Sequence, residues 1–443
     1  MTDITVTPTP SMHHRILSLA IPAVLANFSA VLPSLVDTAL IGQTGDAVAL
    51  GGIAIGASLA GFLLWAFAFL RLGTAGFTAQ AFGAQDGNEI KATLGRALAL
   101  AWVFGFVLLL IMVPLAIVAI PLYGAGDQVS DLAARYFHYR LFGAPFELTN
   151  YVVLGWLLGL QRAGTALGVQ IVLNGCNVVL SYILIFRFHQ GVDGAAIATS
   201  VSQVIAAGVG LFFVHRLLRQ VPVRPESTTL IDLDKLFELV SVNFDIFLRT
   251  LCVMFVMAYF VGLGARMGDT TLAANHVLFA LLATIAQTLD GFAQSAETLT
   301  GYAVGARDRQ NLTRAVTGSL LWGLIVALLL SSLLYFSGPL IVSQFSSDAS
   351  VLAKAAPYLP WLVAAPLVAV WCYILDGVFI GATRGREMRN GMIIAAFGAI
   401  VAQYFLIPPF GNHGLWAALL LFFVLRAITL YCWYPRIPRS LAH

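Results

Sequence analysis

Charge is what this sequence lacks. Only 45 of its 443 residues are Asp, Glu, Lys or Arg. That is 10%, where a soluble domain carries about 25%. Hydrophobic residues make up 59% of the chain and the mean hydropathy is +0.88. A soluble fold of this size has nowhere to hide so much apolar surface. Cysteine is also scarce. Cys176, Cys252, Cys372 and Cys432 are far apart in apolar runs, which excludes a disulfide scaffold and a cysteine metal site. No basic block suggests nucleic acid, and the residue types for a metal site do not cluster. HExxH, GxSxG, a Walker A lysine and a dinucleotide fingerprint are all missing. The amino-terminal tail MTDITVTPTPSMHHR has no signal-peptide pattern, so no cleavage is expected. The chain reads as a non-enzymatic, all-α polytopic membrane protein without a cofactor. An energy source within it would be an ion gradient.

What is present is a regular series of apolar runs. Six fall at about 15–41, 48–82, 91–122, 133–160, 164–187 and 192–218. Six more fall at about 236–264, 270–303, 312–342, 353–382, 389–408 and 413–434. Each reaches the roughly 20 residues that span a bilayer. The expected organisation is a tail (1–14), a six-helix lobe (15–218), a polar linker (219–235), a second six-helix lobe (236–434) and a tail (435–443). Placing both termini in the cytoplasm puts sixteen Lys and Arg on that side, against Arg187, Arg266 and Lys354 opposite. This is a strong positive-inside bias.

The halves are related. Gly83-Ala84-Gln85-Asp86 matches Gly305-Ala306-Arg307-Asp308 at an offset of 222. The same offset pairs Tyr136 with Tyr358, Gly155 with Gly377, Gly159 with Gly381 and Arg162 with Arg384. Six spans per copy give both copies one orientation, a parallel repeat. Secondary transporters use such repeats, with the substrate between the halves.

Ionisable groups inside spans are costly and so few. An acid there can hold a proton, a sodium ion or a cationic substrate, or can partner an arginine. Asp37, in VLPSLVDTALIG, is the foremost candidate, because Pro22 and Pro33 let its helix bend. Asn174, Asn177 and Ser181 share one helix face, and with Thr199 they can form a polar pocket or act as interhelical packing contacts. Glu147 is a possible helper. Asp245 and Arg249, four apart, are expected to form a structural ion pair. Asp290, Glu297 and Asp376 are possible acids of the carboxy-terminal lobe. Gly155/Gly159 and Gly377/Gly381 read as close-packing contacts.

Several stretches together resemble one family. They include LGGIAIGAS, LRLGTAGFTAQAFGAQD, LDGFAQSAETLTGYAVGARD and, most specifically, VWCYILDGVFIGATRGREMRN. With Asp37 in LVDTALIG, they resemble the MATE (multidrug and toxic compound extrusion) transporters, in their DinF-type branch, over about residues 15–434. The resemblance implies two six-helix bundles in a V, with a cavity opening alternately to each side. It implies efflux of organic cations and amphipathic compounds in exchange for protons or sodium. It also implies Asp37 as the coupling acid, Pro22 as the bending proline, Asn177 and Thr199 as polar partners, and Tyr136 as a cavity tyrosine. One position departs: some relatives carry a second acid where this chain has Ser181. A proton needs only one acid, whereas a sodium site would lose an anionic ligand, so proton coupling is expected ahead of sodium.

The expectation is therefore a monomeric proton-coupled antiporter of a bacterial inner membrane. A carrier of lipid-linked intermediates is the main rival, and it would need a cationic cavity. An intramembrane enzyme built on Asp290 and Asp376 is a third reading.

Overall fold

The computed structural model describes residues 11–43, 45–221, 232–345 and 348–441. Most of each expected tail's outer end and the middle of the expected linker (222–231) lie outside the described residues. Long helices joined by short turns account for nearly everything else.

The first lobe begins with α1 (Met12–Ser29) and α2 (Leu32–Gln43), two pieces of one span. The second span is α3 (Ala47–Trp65), a 3-10 turn (Ala66–Ala68) and α4 (Phe69–Gly83). Then come α5 (Gly87–Ala119), α6 (Asp127–Phe142), α7 (Ala144–Gly159), α8 (Ala163–Tyr182), which ends in a π turn (Ile183–Arg187), and α9 (Gly191–Leu218). The second lobe holds α10 (Leu233–Ala265), α11 (Asp269–Gly305), α12 (Arg309–Ser343), α13 (Ala349–Ala355), α14 (Leu359–Gly381), α15 (Gly385–Phe410) and α16 (Asn412–Trp433), followed by the short α17 (Arg436–Arg439). Eleven helical segments are long and apolar enough to cross a membrane, and the bent pair α6–α7 makes a twelfth. The helix α10 takes in the last three residues of the stretch read as linker, and the Asp232 side chain accepts from the Lys235 amide at 3.2 Å and caps it.

Because spans alternate in direction, α1, α5, α8, α10, α12 and α15 all start at one end, here the near end. The repeat is visible there in atomic detail. Asp86 caps α5, and Asp308, 222 residues on, caps α12. Before each cap the chain reverses through a left-handed residue, Gln85 and Arg307. The following amides, of Asp86 and Asp308, bond back to the carbonyls of Ala81 and Ala303. The turns before α8 and α15 repeat the device with Gln161 and Thr383. A non-glycine residue in that region costs about 1–2 kcal/mol, so four such turns in matched positions are held by their surroundings.

The surroundings are helix crossings with no room for a side chain. A Cβ on Gly155 would strike the carbonyl oxygen of Arg71, and one on Gly377 that of Ala293. Gly159 packs the same way on Ala75, and Gly381 on Glu297. All these pairs keep the offset of 222. Between the lobes the contact is reciprocal: Gly83 lies on the Tyr302 backbone and Gly305 on that of Gln80. Close backbone approach of this kind is how apolar helices associate without a hydrophobic driving force. Gln80 adds hydrogen bonds to the Gly381 carbonyl (2.9 Å) and to Thr383 Oγ1 (3.1 Å). The near ends of the two lobes are thus bound together through α4, α11 and α14.

Candidate functional site: a polar cavity beside a loosely held half-helix

A cavity of about 520 Å³ lies in the first lobe and is walled on the other side by α11. Two interrupted spans shape it. The first breaks at Ala30–Val31. Pro33 sits in the first turn of α2, where its missing N–H does no harm. Pro22, expected to bend this span, lies inside an unbroken α1 instead. Ser29 closes α1 by donating to the Ala26 carbonyl (2.8 Å) and accepting from Asn174 Nδ2 (2.9 Å). Asn174 therefore ties α8 to the break itself.

The helix α2 is weakly held. It buries only two side chains, Asp37 and Ile41. Ile41 joins a small satellite cluster with Ile53, Tyr136, Ile185 and Val192, separate from the main core. Asp37 lines the cavity and is 4% exposed. The Ser181 and Thr199 hydroxyls and the Tyr136 ring surround it. Asn177 Nδ2 donates to Thr199 Oγ1 at 2.9 Å, and Thr199 donates to the Ala195 carbonyl at 3.0 Å. Asp37 Oδ1, Asn177 Oδ1 and Ser181 Oγ are buried without a hydrogen-bond partner. The expected pocket residues do come together, and three of their oxygens are left open.

The second break lies between α6 and α7, which meet at 50°. The Ser200 hydroxyl, from α9, donates to the Tyr139 carbonyl at 2.7 Å and satisfies a group the break frees. Gly143 is needed because a Cβ there would come within 2.9 Å of Ser200 Cα. The bend sets Arg140, in the last turn of α6, against Glu147, in the first turn of α7, at 2.6 Å. Each charge also faces the favourable end of its helix dipole. Tyr151 donates to Glu147 at 3.2 Å. Glu147 is thus committed to Arg140 and not to Asp37.

At the floor, Arg71 approaches Asp290 at 4.0 Å. Asp290 Oδ2 accepts from Gln294 Nε2 at 2.8 Å, and Asn27 bonds the Gln287 carbonyl at 3.0 Å. Among the cavity's carboxylates, Asp37 has no cation within ion-pairing distance.

The second lobe corrects one expectation. Asp245 and Arg249 do not pair with each other. Asp245 binds Arg389 of α15 at 2.6 Å, while Arg249 and Arg426 both bind Asp376. The reason is tertiary: neighbouring helices offer straight, shorter approaches than the i,i+4 path. Asp376 is therefore a buried anion held through Oδ2 by two guanidinium groups, and it does not line the cavity. Asp290 faces the cavity, but Glu297 lies beyond it, and the three acids do not share a site. Sequence reasoning missed the Arg140–Glu147 pair, whose signal was the Gly-Ala-Pro between them, and the Asn150–Gln203 bond (2.8 Å) behind the cavity.

Comparison with known proteins places this geometry. The MatE family profile matches residues 22–183 and 246–408, one stretch in each lobe. DNA damage-inducible protein F of Escherichia coli is 38% identical over 93% of this chain and 90% of its own length. Multidrug export protein MepA of Staphylococcus aureus is 20% identical over 91% of this chain and 89% of its own. Among solved structures, a MOP superfamily transporter from Pyrococcus furiosus superposes with a TM-score of 0.86 at 19% identity, covering 98% of this chain and 97% of that one.

Proposed function

This chain belongs to the MatE family of membrane transporters, and on that premise we propose that it is a secondary active efflux antiporter. It exports cationic or amphipathic small molecules in exchange for protons, by alternating access. It works as a monomer in a bacterial inner membrane, with both termini in the cytoplasm.

The observation that carries this reading is Asp37: a buried, unpaired carboxylate facing the cavity from a half-helix that buries little else. Unprotonated, it presents the cavity's one uncompensated negative charge to a cation. Protonated, it gains a donor that the open Ser181 and Asn177 oxygens can accept. Proton and cationic substrate then compete for one group, which is what antiport requires. Because α2 is joined to α1 at an existing break, the exchange can move α2 without disturbing the core. Pro22 offers α1 a second bend, since its ring removes one hydrogen bond.

The name of MepA supports a multidrug cargo. The two open neutral oxygens that accompany Asp37, Asn177 Oδ1 and Ser181 Oγ, keep sodium as the alternative coupling ion, since sodium also accepts neutral oxygen ligands. The cavity holds three carboxylates and two arginines, which disfavours a lipid pyrophosphate carrier.

The test is efflux of a fluorescent cation from proteoliposomes under an imposed pH gradient and, separately, a sodium gradient. Proton-driven efflux in the native protein and none in Asp37→Asn is the expected result. An Asp37→Asn protein with unimpaired proton-driven efflux refutes the proposal, and efflux that follows sodium alone assigns the other ion.

A further inference from the structure

Glu297 is a carboxylate that the repeated scaffold does not need. It stands on α11, seven residues beyond Asp290 and past the cavity floor, where α11 crosses α4 between the lobes. Every residue from Gly291 to Gly301 is buried, so this stretch of helix is enclosed on all sides. Glu297 is 2% exposed, and its Oε1 has no hydrogen-bond partner. Its counterpart at the offset of 222 is Ala75. Ala75 makes the same crossing over Gly159 that Glu297 makes over Gly381, with a methyl group in place of the carboxyl. The packing is satisfied without an acid, so the acid answers to something else.

The charged groups facing it are few. Arg71 of α4 and Asp290 of α11 are near it, and Arg71 Nη1 is itself buried without a partner. The one acid of α14, Asp376, is held by Arg249 and Arg426. On α7, Glu147 is held by Arg140, and the Leu158 carbonyl accepts from Thr298 at 3.3 Å. On α1, Arg15 bonds Gln161 at 3.1 Å and stacks on Tyr302. No cation lies within 4 Å of Glu297 among the described residues. An anion buried so is costly, whereas the neutral acid is not, and parting α4 from α11 would admit water to the same carboxyl.

We propose that Glu297 is a second proton-exchange site, which keeps its proton while the α4–α11 crossing is closed and gives it to water on the near, cytoplasmic side when the lobes part. The exchange is a plain acid dissociation: the carboxyl O–H bond breaks, the electron pair stays on Glu297, and the proton passes to water. Arg71 then faces the new carboxylate. On reclosure the proton returns through the cavity floor, past Asp290. The inference rests on the alternating-access reading above and adds a second acid to it, at the contact that must open.

The experiment measures the distance between spin labels at Arg162→Cys and Gln310→Cys, one near-end position in each lobe, in a cysteine-free background across a pH series. In the parent protein the distance lengthens as pH rises. In Glu297→Gln, which cannot dissociate, it stays short throughout. Glu297→Asp keeps the transition with a moved midpoint. The proposal is overturned by a pH-independent distance in the parent, by a parent-like transition in Glu297→Gln, or, should that variant not fold, by an unmoved midpoint in Glu297→Asp. Asp37→Asn separates the two claims. If the transition follows Asp37 and not Glu297, the second site falls and the antiport reading stands. If Asp37→Asn retains efflux while Glu297→Gln loses the transition, the reverse holds.

Discussion

The two lobes share a scaffold and differ in chemistry. Gly155 and Gly377 pack on equivalent carbonyls, as do Gly159 and Gly381. Gln85 and Arg307 turn the chain in the same left-handed conformation. Yet where the second lobe has Asp376, the first has Leu154. Where the first has Asp37, Asn177 and Ser181, the second has Tyr259, Ala399 and Gln403. The first span is broken at Ala30–Val31, while its counterpart α10 runs unbroken from Leu233 to Ala265. One lobe has a half-helix that buries only two side chains and an acid without an ion-pair partner; the other has a continuous helix and an acid held by two arginines. Duplication preserved what makes helices pack and released what faces the cavity, so one lobe is read as the moving part and the other as its support.

This contrast can be broken by mutation, and the largest effect falls on the second lobe. Asp376→Ala leaves the buried Arg426 and the partly buried Arg249 guanidinium groups without a counter-charge, and loss of a buried partner costs about 3–5 kcal/mol. The expected result is a steep fall in thermal stability of the purified protein. A Tm unchanged within error would mean that Asp376 is not a structural anion. Next come the shared crossings. Gly155→Leu and Gly377→Leu each force a helix pair apart, with overpacking costs of about 1–3 kcal/mol. The two should lower the Tm alike, and a large inequality would show that the repeated packing is not equivalent. Asn174→Ala removes the tie between α8 and the break after Ser29, a membrane hydrogen bond worth about 0.6 kcal/mol on average. It should loosen α2, seen as faster hydrogen exchange in residues 30–43, with little change in overall Tm. The smallest effect on stability belongs to the acid proposed to couple transport. Asp37→Asn removes a charge that has no ionic partner, so the Tm should hold or rise slightly while proton-driven efflux disappears. A marked loss of stability would recast Asp37 as structural.

Much of the scaffold was legible in the residues. Twelve apolar runs became eleven spanning segments and one bent pair, because hydrophobic length is a local property that a bilayer reads directly. The offset of 222 was legible as well, since close-packed glycines tolerate no substitute. The candidate pocket was partly legible: positions 174, 177 and 181 share a helix face whatever surrounds them. Partnership was not. Four-residue spacing suggested Asp245 with Arg249, but Arg389 and Asp376 from other helices took those charges. The two prolines did not by themselves choose the position of the break. Proline lowers the cost of bending without choosing the place: Pro33 lies in the first turn after the break, whereas Pro22 lies within α1.

The sequence by itself determined that this chain crosses a membrane about twelve times, that it does so as two related halves, and that very few charges are left inside. Those properties follow from transfer free energy and steric size, which each residue carries with it. Only the tertiary structure decided which of those charges are cancelled. Arg140 neutralises Glu147, and two arginines neutralise Asp376. Asp37 is left beside the cavity and Glu297 in the crossing because ion pairing depends on a few ångströms between helices distant in the chain.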